Sequence, residues 1–509
     1  MKHLKKIVSL LLTAVMVLAM CIPVMADAAT TYSITIDNAA EDHIYEAYQI
    51  FAGELSTDGL SLSNIVWGSG VSEVGKTHFN DAKTKAETLK NEADAKAFAK
   101  EVSKYLATPA GEANKVTNGE YVINNLTSGY YLIKDKDDSL SDKNDTYTSY
   151  ILKVVKNISV KPKSDKPSSE KKVKDVNDST GDESNWQDSA DYDIGDAVPF
   201  QLKGTVASNY DEYTTYKFIF HDKESAGLTF LPNTVKVYVD NINSEGNIET
   251  TEITSGFTVK QNVQHSENDV DTFDVEFANL KEISGVKASS VIRVEYSSTL
   301  NDNAVIGSIG NPNKMHLEYS NNPNDAQGGE TGNTPDDKVI VFTYKVTANK
   351  TDSKGNALKG AAFALYKKDV NNKYNLVSIQ NAIENNGKYT LIDPNTTKFN
   401  WVGLDDGDYK IVEVVTPDGY NTMQDLLFTV TAGHEITSDD PRLTSLSGGD
   451  LFTGDVSKGT VTTDIKNYKG SELPSTGGIG TTIFYVVGVI LMLGAGVLLV
   501  TKKRMSTNR

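Results

Sequence analysis

SVIRVEYSSTL, residues 290–300, alternates apolar and polar side chains along its length. Successive side chains of a strand point to opposite faces, so this alternation is typical of a half-buried antiparallel strand. Eight similar runs are bounded by Asn, Asp, Gly and Ser: TYSITI (31–36), YILKVVKNISV (150–160), TTYKFIF (214–220), NTVKVYV (233–239), DTFDVEF (271–277), VIVFTYKV (339–346), DYKIVEVV (408–415) and DLLFTV (425–430). The pattern predicts an all-β protein of tandem immunoglobulin-like β-sandwiches.

Two stretches rich in turn residues divide the chain. KPKSDKPSSE (161–170) has the composition of a linker, and NNPNDAQGGETGNTPDD (321–337) is acidic and rich in Gly and Pro. The predicted domains span residues 30–160, 165–335 and 338–470. Within the first of them, residues 80–106 lack the strand pattern and predict an amphipathic helical insertion that packs on the sheet.

Composition limits the possible functions. A net charge of −18 over 509 residues argues against binding to nucleic acid or to an anionic membrane surface. The single cysteine, Cys21, lies in the N-terminal apolar segment. If that segment is removed, the mature chain has no disulfide, and a different covalent cross-link becomes a reasonable expectation.

Both ends carry targeting signals. Three lysines precede an apolar run over residues 7–24, and ADAA follows it, which predicts a signal peptide over residues 1–29. Near the C terminus, residues 483–500 contain no charge and are long enough for a transmembrane helix. A basic tail follows at residues 502–504, which favours a cytoplasmic end. The chain between these signals is expected to be exported.

A short motif stands directly before the apolar segment: Leu473, Pro474, Ser475, Thr476 and Gly477. The motif, the span and the basic tail together resemble the LPxTG sorting signal of Gram-positive surface proteins. The resemblance implies that a sortase cleaves after the motif threonine and transfers its acyl group to an amine. It also implies a cell-wall-anchored location, with peptidoglycan as a partner.

The third domain contains three pieces of a second resemblance. A first-strand lysine, Lys350, precedes Asp352; Glu413 stands on a strand before a Pro-Asp-Gly-Tyr turn; and Asn467 lies on the last strand. These pieces resemble the B-type immunoglobulin-like repeats of collagen adhesins and pilins. The resemblance implies a spontaneous isopeptide bond between Lys350 and Asn467, assisted by Glu413. Such chemistry needs a neutral lysine and a protonated acid, both of which burial favours.

The second domain resembles the A-type domain of the same proteins. EKKVKDVND (170–178), FIFHDKESAGLTF (218–230) and GNPNKMHLEYSNNP (310–323) carry that resemblance. It implies a bond between Lys172 and Asn313, with Asp222 as the catalytic acid. Alternatives remain open: Lys171 or Lys174 for the lysine, and Asn311 or Asn321 for the asparagine.

The first domain shares a short pattern with the third. Leu-x-x-Gly-x-Tyr-x-Ile occurs at residues 126–133 and again at 404–411, and it places Asp135 where the third domain has Glu413. No lysine lies between Lys6 and Lys76, so the first strands cannot supply the nucleophile. The first domain is therefore predicted to lack an isopeptide bond and to be the least stable of the three.

The acceptor amine is expected in the linker after the first domain. Lys161-Pro162-Lys163 follows a strand that ends in valine, and this arrangement is similar to the Tyr-Pro-Lys element of pilins. The chain is thus identified, by resemblance, as a pilus backbone subunit in which a pilin-type sortase joins Thr476 of one subunit to Lys163 of the next. Tip or base pilins are possible further partners implied by the same resemblance.

The sequence indicates no enzyme, cofactor or metal site. The histidines are scattered without zinc-binding spacing, no phosphate-binding loop is present, and the Asp-rich loops do not match an EF-hand. The alternative function is a wall-anchored adhesin or ancillary pilin, which would use the same domains and the same sorting signal but not Lys163.

Overall fold

The computed structural model describes residues 30–470 apart from 39–42, 57–60, 115–118, 141–143, 155, 163–164 and 268, and it also describes residues 489, 491 and 492. Several predicted features lie outside the described residues: the signal peptide (1–29), Lys163, the LPSTG motif (473–477) and most of the apolar segment 483–500. Within the described part of the chain, no helix has the length and apolar character needed to cross a bilayer.

The first domain is a sandwich of two sheets with helices on one side. Its strands are β1 (Tyr32–Asp37), β2 (Tyr45–Leu55), β3 (Leu62–Trp67), β4 (Gly111–Ala113), β5 (Glu120–Leu126), β6 (Gly129–Asp135), β7 (Ile151–Val154) and β8 (Ile158–Val160). One sheet has the order β5-β1-β8, and the other has the order β3-β2-β6-β7 with β4 beside β2. Strand β1 pairs antiparallel with β5 and parallel with β8.

The helical insertion contains three helices, because the segment predicted as a single helix over residues 80–106 forms two and a third precedes it. They are α1 (Glu73–Phe79), α2 (Ala82–Thr88) and α3 (Glu92–Val102). Each helix begins at a side chain that caps a free backbone N–H: Ser72, Asp81 and Asn91. Asp81 and Asn91 interrupt the predicted helix, because their side-chain oxygens replace the hydrogen bonds that a continuous helix would make. Phe98 of α3 packs on the sheet, as expected for an amphipathic insertion.

The second domain contains two larger sheets. Its strands are β9 (Ser169–Val173), β10 (Ser189–Asp191), β11 (Ala197–Thr205), β12 (Phe218–Glu224), β13 (Leu228–Ile242), β14 (Ile248–Ile253), β15 (Thr258–Ser266), β16 (Asp269–Phe277), β17 (Val291–Leu300), β18 (Asn311–Ser320), β19 (Thr331–Asn333) and β20 (Asp337–Phe342). The order β14-β13-β17-β11-β9 forms one sheet, and β10-β20-β18-β12-β16-β15 forms the other, with β19 beside β18. Strand β20 pairs with β10 and β18, so the second domain extends beyond residue 335, where the sequence predicted its end.

The third domain is a sandwich of a four-stranded and a five-stranded sheet. Its strands are β21 (Tyr344–Asp352), β22 (Ala362–Lys368), β23 (Tyr374–Gln380), β24 (Ala382–Asn385), β25 (Lys388–Leu391), β26 (Lys398–Leu404), β27 (Gly407–Val415), β28 (Leu426–His434), β29 (Leu443–Ser447), β30 (Thr453–Asp455) and β31 (Thr460–Asn467). The sheet orders are β26-β21-β31-β30 and β23-β22-β27-β28-β29, and β24 pairs with β25 in a separate hairpin. The prediction of an all-β fold of tandem immunoglobulin-like sandwiches is confirmed.

The first and third domains share topology as well as the repeated motif. Strand β21 lies between antiparallel β26 and parallel β31, as β1 lies between β5 and β8. The motif tyrosines make equivalent hydrogen bonds: the Tyr131 hydroxyl donates to the carbonyl of Thr127 at 2.9 Å, and that of Tyr409 donates to the carbonyl of Asp405 at 2.8 Å. Each bond closes the turn that precedes its strand.

Candidate cross-linking sites

The third-domain site lies between the first and last strands of the domain. Strands β21 and β31 pair in parallel, with Asp352 opposite Asn467, and this register brings Lys350 and Asn467 to the same region of the core. Both residues are almost completely buried, with 1% of their surface exposed. Glu413 reaches between them from β27 of the facing sheet: Asn467 Nδ2 lies 2.8 and 2.9 Å from the two carboxylate oxygens of Glu413, and Lys350 Nζ lies 4.0 Å from Oε1.

Burial prepares Lys350 for attack. Removal from water lowers the pKa of the Lys350 amine to about 8, although the nearby Glu413 carboxylate opposes this shift. The amine also donates to the Ile465 carbonyl at 3.2 Å, which restrains it beside β31. The Glu413 carboxylate in turn accepts the backbone N–H of Met423 at 2.9 Å. The acid is therefore fixed by the loop that follows its strand, and the lowered pKa of Lys350 makes its neutral amine more abundant.

This arrangement can carry out amide exchange without an external enzyme. The neutral Lys350 Nζ would form a bond to Cγ of Asn467, and the Cγ–Nδ2 bond would break. Glu413 contacts the leaving nitrogen and can carry a proton from the amine to it, so that one ammonia molecule leaves. The product is an amide between the two side chains, and no oxidant or cofactor is consumed.

The second-domain site spans the two sheets. Lys171 on β9 is completely buried, and its amine donates to Asp222 on β12 and, at 2.9 Å, to the Tyr296 hydroxyl on β17. The same hydroxyl donates to Asp222 at 2.9 Å and accepts from Asn313 Nδ2, also at 2.9 Å. Tyr296 therefore links the amine, the acid and the amide in one buried cluster.

Burial favours the neutral forms in this cluster. It lowers the pKa of Lys171 and raises that of Asp222, and the attraction between the two groups only partly offsets both shifts. A second acid, Glu224, lies beside Asn313, with its Oε1 3.5 Å from Asn313 Nδ2. Burial, reinforced by repulsion from Asp222, raises the pKa of Glu224 to about 8. Glu224 thus lies beside the amide of Asn313, whereas Asp222 is linked to that amide through the Tyr296 hydroxyl.

The structure places Lys171, and not the predicted Lys172, at this site. Lys172 is partly exposed and forms an ion pair with Asp188. The reason is the alternation of the strand: the buried Val173 faces the core, so Lys171, two residues earlier, also faces it and Lys172 faces away. Lys174 pairs with Glu183 at 3.3 Å on the outside of the sheet.

The two alternative asparagines have other partners. Asn311 fixes the preceding loop: its side-chain oxygen accepts the Val305 N–H at 2.8 Å, and its Nδ2 donates to the Val305 and Val341 carbonyls. Asn321 contacts the first domain, where its Nδ2 donates to the Asp145 carbonyl at 3.1 Å. Of the three candidates, Asn313 is the one that meets the Lys171 cluster.

Two segments of the chain match known protein families. Residues 344–441 match the SpaA family of prealbumin-like fold domains, and residues 465–506 match the LPXTG cell wall anchor motif. Over 384 residues the chain is 27% identical to the trypsin-resistant surface T6 protein of Streptococcus pyogenes serotype M6, an alignment that covers 61% of this chain and 65% of that relative. The resemblance to sortase-assembled pilus backbone subunits is confirmed. The anchor motif assigns this pilin-like chain to the cell wall, as predicted.

One solved structure supports the fold of the pilin-like chain, and a second one aligns less closely. The T6 backbone pilin of serotype M6 Streptococcus pyogenes, described as a modular three-domain structure, aligns with a TM-score of 0.55 and 21% identity over 88% of this chain and 100% of its own. The major pilin SpaD from Corynebacterium diphtheriae aligns with a TM-score of 0.46 and 15% identity over 87% of this chain and 98% of its own. The chain spans slightly less than two thirds of the length of the curated T6 relative.

The first domain of the pilin-like chain has a different arrangement at the corresponding positions. Tyr32 pairs with Leu126 as Tyr344 pairs with Leu404, so Asn38 corresponds to Lys350. Asn38 donates to the Tyr45 hydroxyl at 2.8 Å, and Asp135 accepts from the Thr148 N–H at 2.6 Å and contacts His43 Nδ1 at 2.7 Å. The Asp135 carboxylate is thus already bonded to a histidine and to a backbone N–H. The absence of an isopeptide bond here stays a prediction.

Sequence reasoning missed Tyr296 and Glu224. Tyr296 lies on the inward face of β17, and the alternation of residues 290–300 does predict its burial. Its partners come from other strands, so its role depends on the folded arrangement. Glu224 follows Asp222 by two residues on β12, and this spacing alone predicts that both acids share the inward face.

We expect bond formation in the third domain to accelerate with pH. Below the Lys350 pKa of about 8, the fraction of neutral amine increases about tenfold per pH unit. The rate should rise with this fraction from pH 6 to pH 8 and then level off. The measurement is the loss of ammonia over time, monitored by mass spectrometry. It is made on a third-domain fragment that is kept unfolded until folding is started at each pH. A rate that is constant or falls over this range would contradict the assignment. The unlinked precursor should also gain stability above pH 8, because the unfolded lysine then binds more protons than the folded one.

Proposed function

We propose that the chain is the structural backbone subunit of a covalently polymerised surface pilus. The observation that carries the proposal is the presence of two buried lysine–acid–asparagine clusters, around Lys171 and Lys350, on a chain that ends in an LPXTG anchor. Two spontaneous cross-links and a sortase signal suit an extracellular protein that bears mechanical load without disulfides. The chemistry is a single turnover on its own side chains, so no enzymatic activity is proposed.

Within each subunit, we propose isopeptide bonds between Lys171 and Asn313 and between Lys350 and Asn467. Asp222 and Glu413 would act as the respective acids, with Glu224 and Tyr296 assisting in the second domain. The first bond would join the two sheets of its sandwich, and the second would join the first strand of its domain to the last. Each constrains the unfolded chain in the way that a disulfide does.

Between subunits, we propose that a pilin-type sortase joins Thr476 of one subunit to Lys163 of the next. Lys171 and Lys350 are buried and unsuited to an external enzyme, which must bind its nucleophile in its own active site. The linker between β8 and β9 is a better location, since the neighbouring Lys161 is exposed. Identical subunits, the sortase and peptidoglycan are then the partners, with tip or base pilins as further candidates.

Replacement of Lys163 tests this assignment. We expect the parent strain to show a ladder of high-mass bands in immunoblots of cell-wall digests boiled in detergent. The Lys163→Ala strain should show only monomer, because the acyl group on Thr476 then lacks its acceptor in the next subunit. The matched control is Lys161→Ala, which removes a lysine from the same linker and should keep the ladder.

The other outcomes of this experiment are equally informative. A single monomer band in both the parent and Lys163→Ala would indicate a wall-anchored adhesin or ancillary pilin instead. If the ladder persists in Lys163→Ala but disappears in Lys161→Ala, the acceptor is Lys161. The proposal of a covalent polymer would then still hold.

A further inference from the structure

Four side chains of the second domain lie close together on the face of a sheet that points away from the sandwich core. His221 follows Phe220 and precedes Asp222, both of which face the core, so strand alternation directs His221 to the opposite face. It meets Asp271 and Asp274 of the neighbouring strand β16 and His265 of the edge strand β15. This group, His221, His265, Asp271 and Asp274, is here called the His–Asp cluster. Its ligand atoms all lie within 4.8 Å of one another.

Four distances in the His–Asp cluster lie near those of a tetrahedral metal site. His221 Nδ1 lies 3.1 Å from Asp271 Oδ2 and 3.1 Å from Asp274 Oδ1. His265 Nε2 lies 2.7 Å from Asp271 Oδ2 and 3.9 Å from Asp274 Oδ2. Ligands bonded to zinc at about 2.0–2.1 Å in a tetrahedron are separated by roughly 3.3 Å. The observed separations lie on both sides of this value.

The surroundings of His221 also fit a metal ligand. Its second ring nitrogen, Nε2, lies 3.2 Å from Glu318 Oε2, and Glu318 is in turn held by Lys217 at 2.7 Å. Histidines that bind zinc through one nitrogen commonly donate the other N–H to a carboxylate, which fixes the ring and its tautomer. The His221 ring is also stacked on His316, with 4.7 Å between ring centroids. The ligand is therefore oriented from two sides.

The backbone directs His265 toward the cluster. The pairing of β15 with β16 shifts register between Gln264 and Ser266, so His265 is the extra residue of a β-bulge. Bulges change the direction of a side chain at a sheet edge. His265 is about a third exposed, whereas His221, Asp271 and Asp274 are buried. An ion would therefore enter from the side of His265 and bind among side chains that are largely shielded from water.

Charge favours a divalent cation at this position. Two aspartates and Glu318 face two histidines and Lys217, so the carboxylates outnumber the lysine by two. An ion of charge +2 would balance Asp271 and Asp274, while Lys217 balances Glu318. Neutral imidazole is also the form that binds metals. We propose that the His–Asp cluster is a four-coordinate site for a Zn²⁺-like ion, which clips the edge hairpin β15–β16 to β12.

This site differs from the expectation drawn from sequence, which found no zinc spacing among the histidines. His221 lies far from the other three ligands along the chain, and no short motif contains all four residues. The pairing of β12 with β16 brings them together by placing His221 opposite Asp274. Co²⁺ and Zn²⁺ are suitable probes of the site. Four-coordinate Co²⁺ absorbs visible light strongly and reports the geometry, and the affinity for Zn²⁺ can be measured by calorimetry.

The test uses the whole mature chain after removal of metals with a chelator. We expect one Co²⁺ to bind per chain with the intense visible absorption of a four-coordinate ion, and one Zn²⁺ to displace it. His265→Ala should weaken Zn²⁺ binding by about 100-fold or more, and Glu318→Gln by about 10-fold, because the latter changes only the orientation of His221. The control is His78→Ala, which removes an exposed histidine of the first domain and should bind as the parent does.

Three results would overturn the proposal. They are no stoichiometric uptake by the parent, the weak absorption of six-coordinate Co²⁺, or unchanged Zn²⁺ affinity in His265→Ala. The first would leave the cluster as a protonated histidine held between carboxylates. Folding of each variant is checked by circular dichroism in chelator, and His265→Gln, which keeps a polar side chain, gives the same comparison if alanine disturbs the edge strand.

Discussion

Asn467→Ala is expected to leave the third domain without its internal bond and to lower its melting temperature by roughly 15–25 °C. A cross-link between residues 350 and 467 closes a loop of more than a hundred residues, which corresponds to about 5 kcal/mol in the chain-entropy model. For a domain of this size, that loss moves the melting temperature by the stated amount. Calorimetry on the whole chain is the appropriate measurement, because it separates the transitions of the individual domains.

Mass spectrometry provides the chemical half of this test. The third-domain fragment of the parent should be lighter than its sequence mass by one ammonia molecule, whereas Asn467→Ala should match its sequence mass. Asn349→Ala is the matched control, since Asn349 is a half-buried asparagine on β21 whose side chain donates to Asp464 at 3.0 Å. A parent fragment at full sequence mass would refute the bond, whatever the thermal results.

Lys171→Met is expected to have a comparable effect on the second domain. The variant should keep the ammonia that the parent loses and should be less stable by about 5 kcal/mol, since the bond to residue 313 also closes a loop of more than a hundred residues. Methionine suits this position because the cluster is buried, and burial already raises the pKa of Asp222 in favour of its neutral form. The loss then reports chiefly the missing cross-link.

Lys172→Met is the control that separates the two neighbouring lysines. It removes the ion pair with Asp188 on a partly exposed surface, where such pairs contribute at most about 1 kcal/mol. We expect it to form the bond as the parent does and to melt within a few degrees of it. If Lys172→Met blocked the bond and Lys171→Met did not, the original sequence assignment would be restored.

The alternation of side chains predicted the strands well, because burial on one face of a sheet is a local property of the sequence. The runs at 290–300 and 271–277, for example, correspond to β17 and β16. The helical insertion was harder, since Asp81 and Asn91 resemble ordinary polar helix residues until their side chains are seen to cap new helices. The run at 339–346 spans two strands of different domains for a related reason: nothing in its pattern marks Thr343 as the junction.

The candidate sites show the same division between local and distant information. Glu413 and Asn467 could be identified from family motifs, and the structure brings them into contact. Lys171 could have been preferred over Lys172 from the position of Val173 alone, because both must face the core together. Tyr296 and the His–Asp cluster depend on which strands become neighbours. That information lies in the pairing of β12 with β16 and in the facing of the two sheets.

The pairing of the first and last strands of the third domain has a consequence for how far a fibre could stretch. With Lys350 bonded to Asn467, the residues between them cannot be drawn out, and about 400 Å of extended chain stays hidden. The bond from Lys171 to Asn313 would hide about 480 Å more. The shortest covalent route from Lys163 to Thr476 then runs only through residues 163–171, 313–350 and 467–476. Residues 30–160 precede Lys163 and lie off this route, so the domain that is predicted to lack a cross-link would bear no tension.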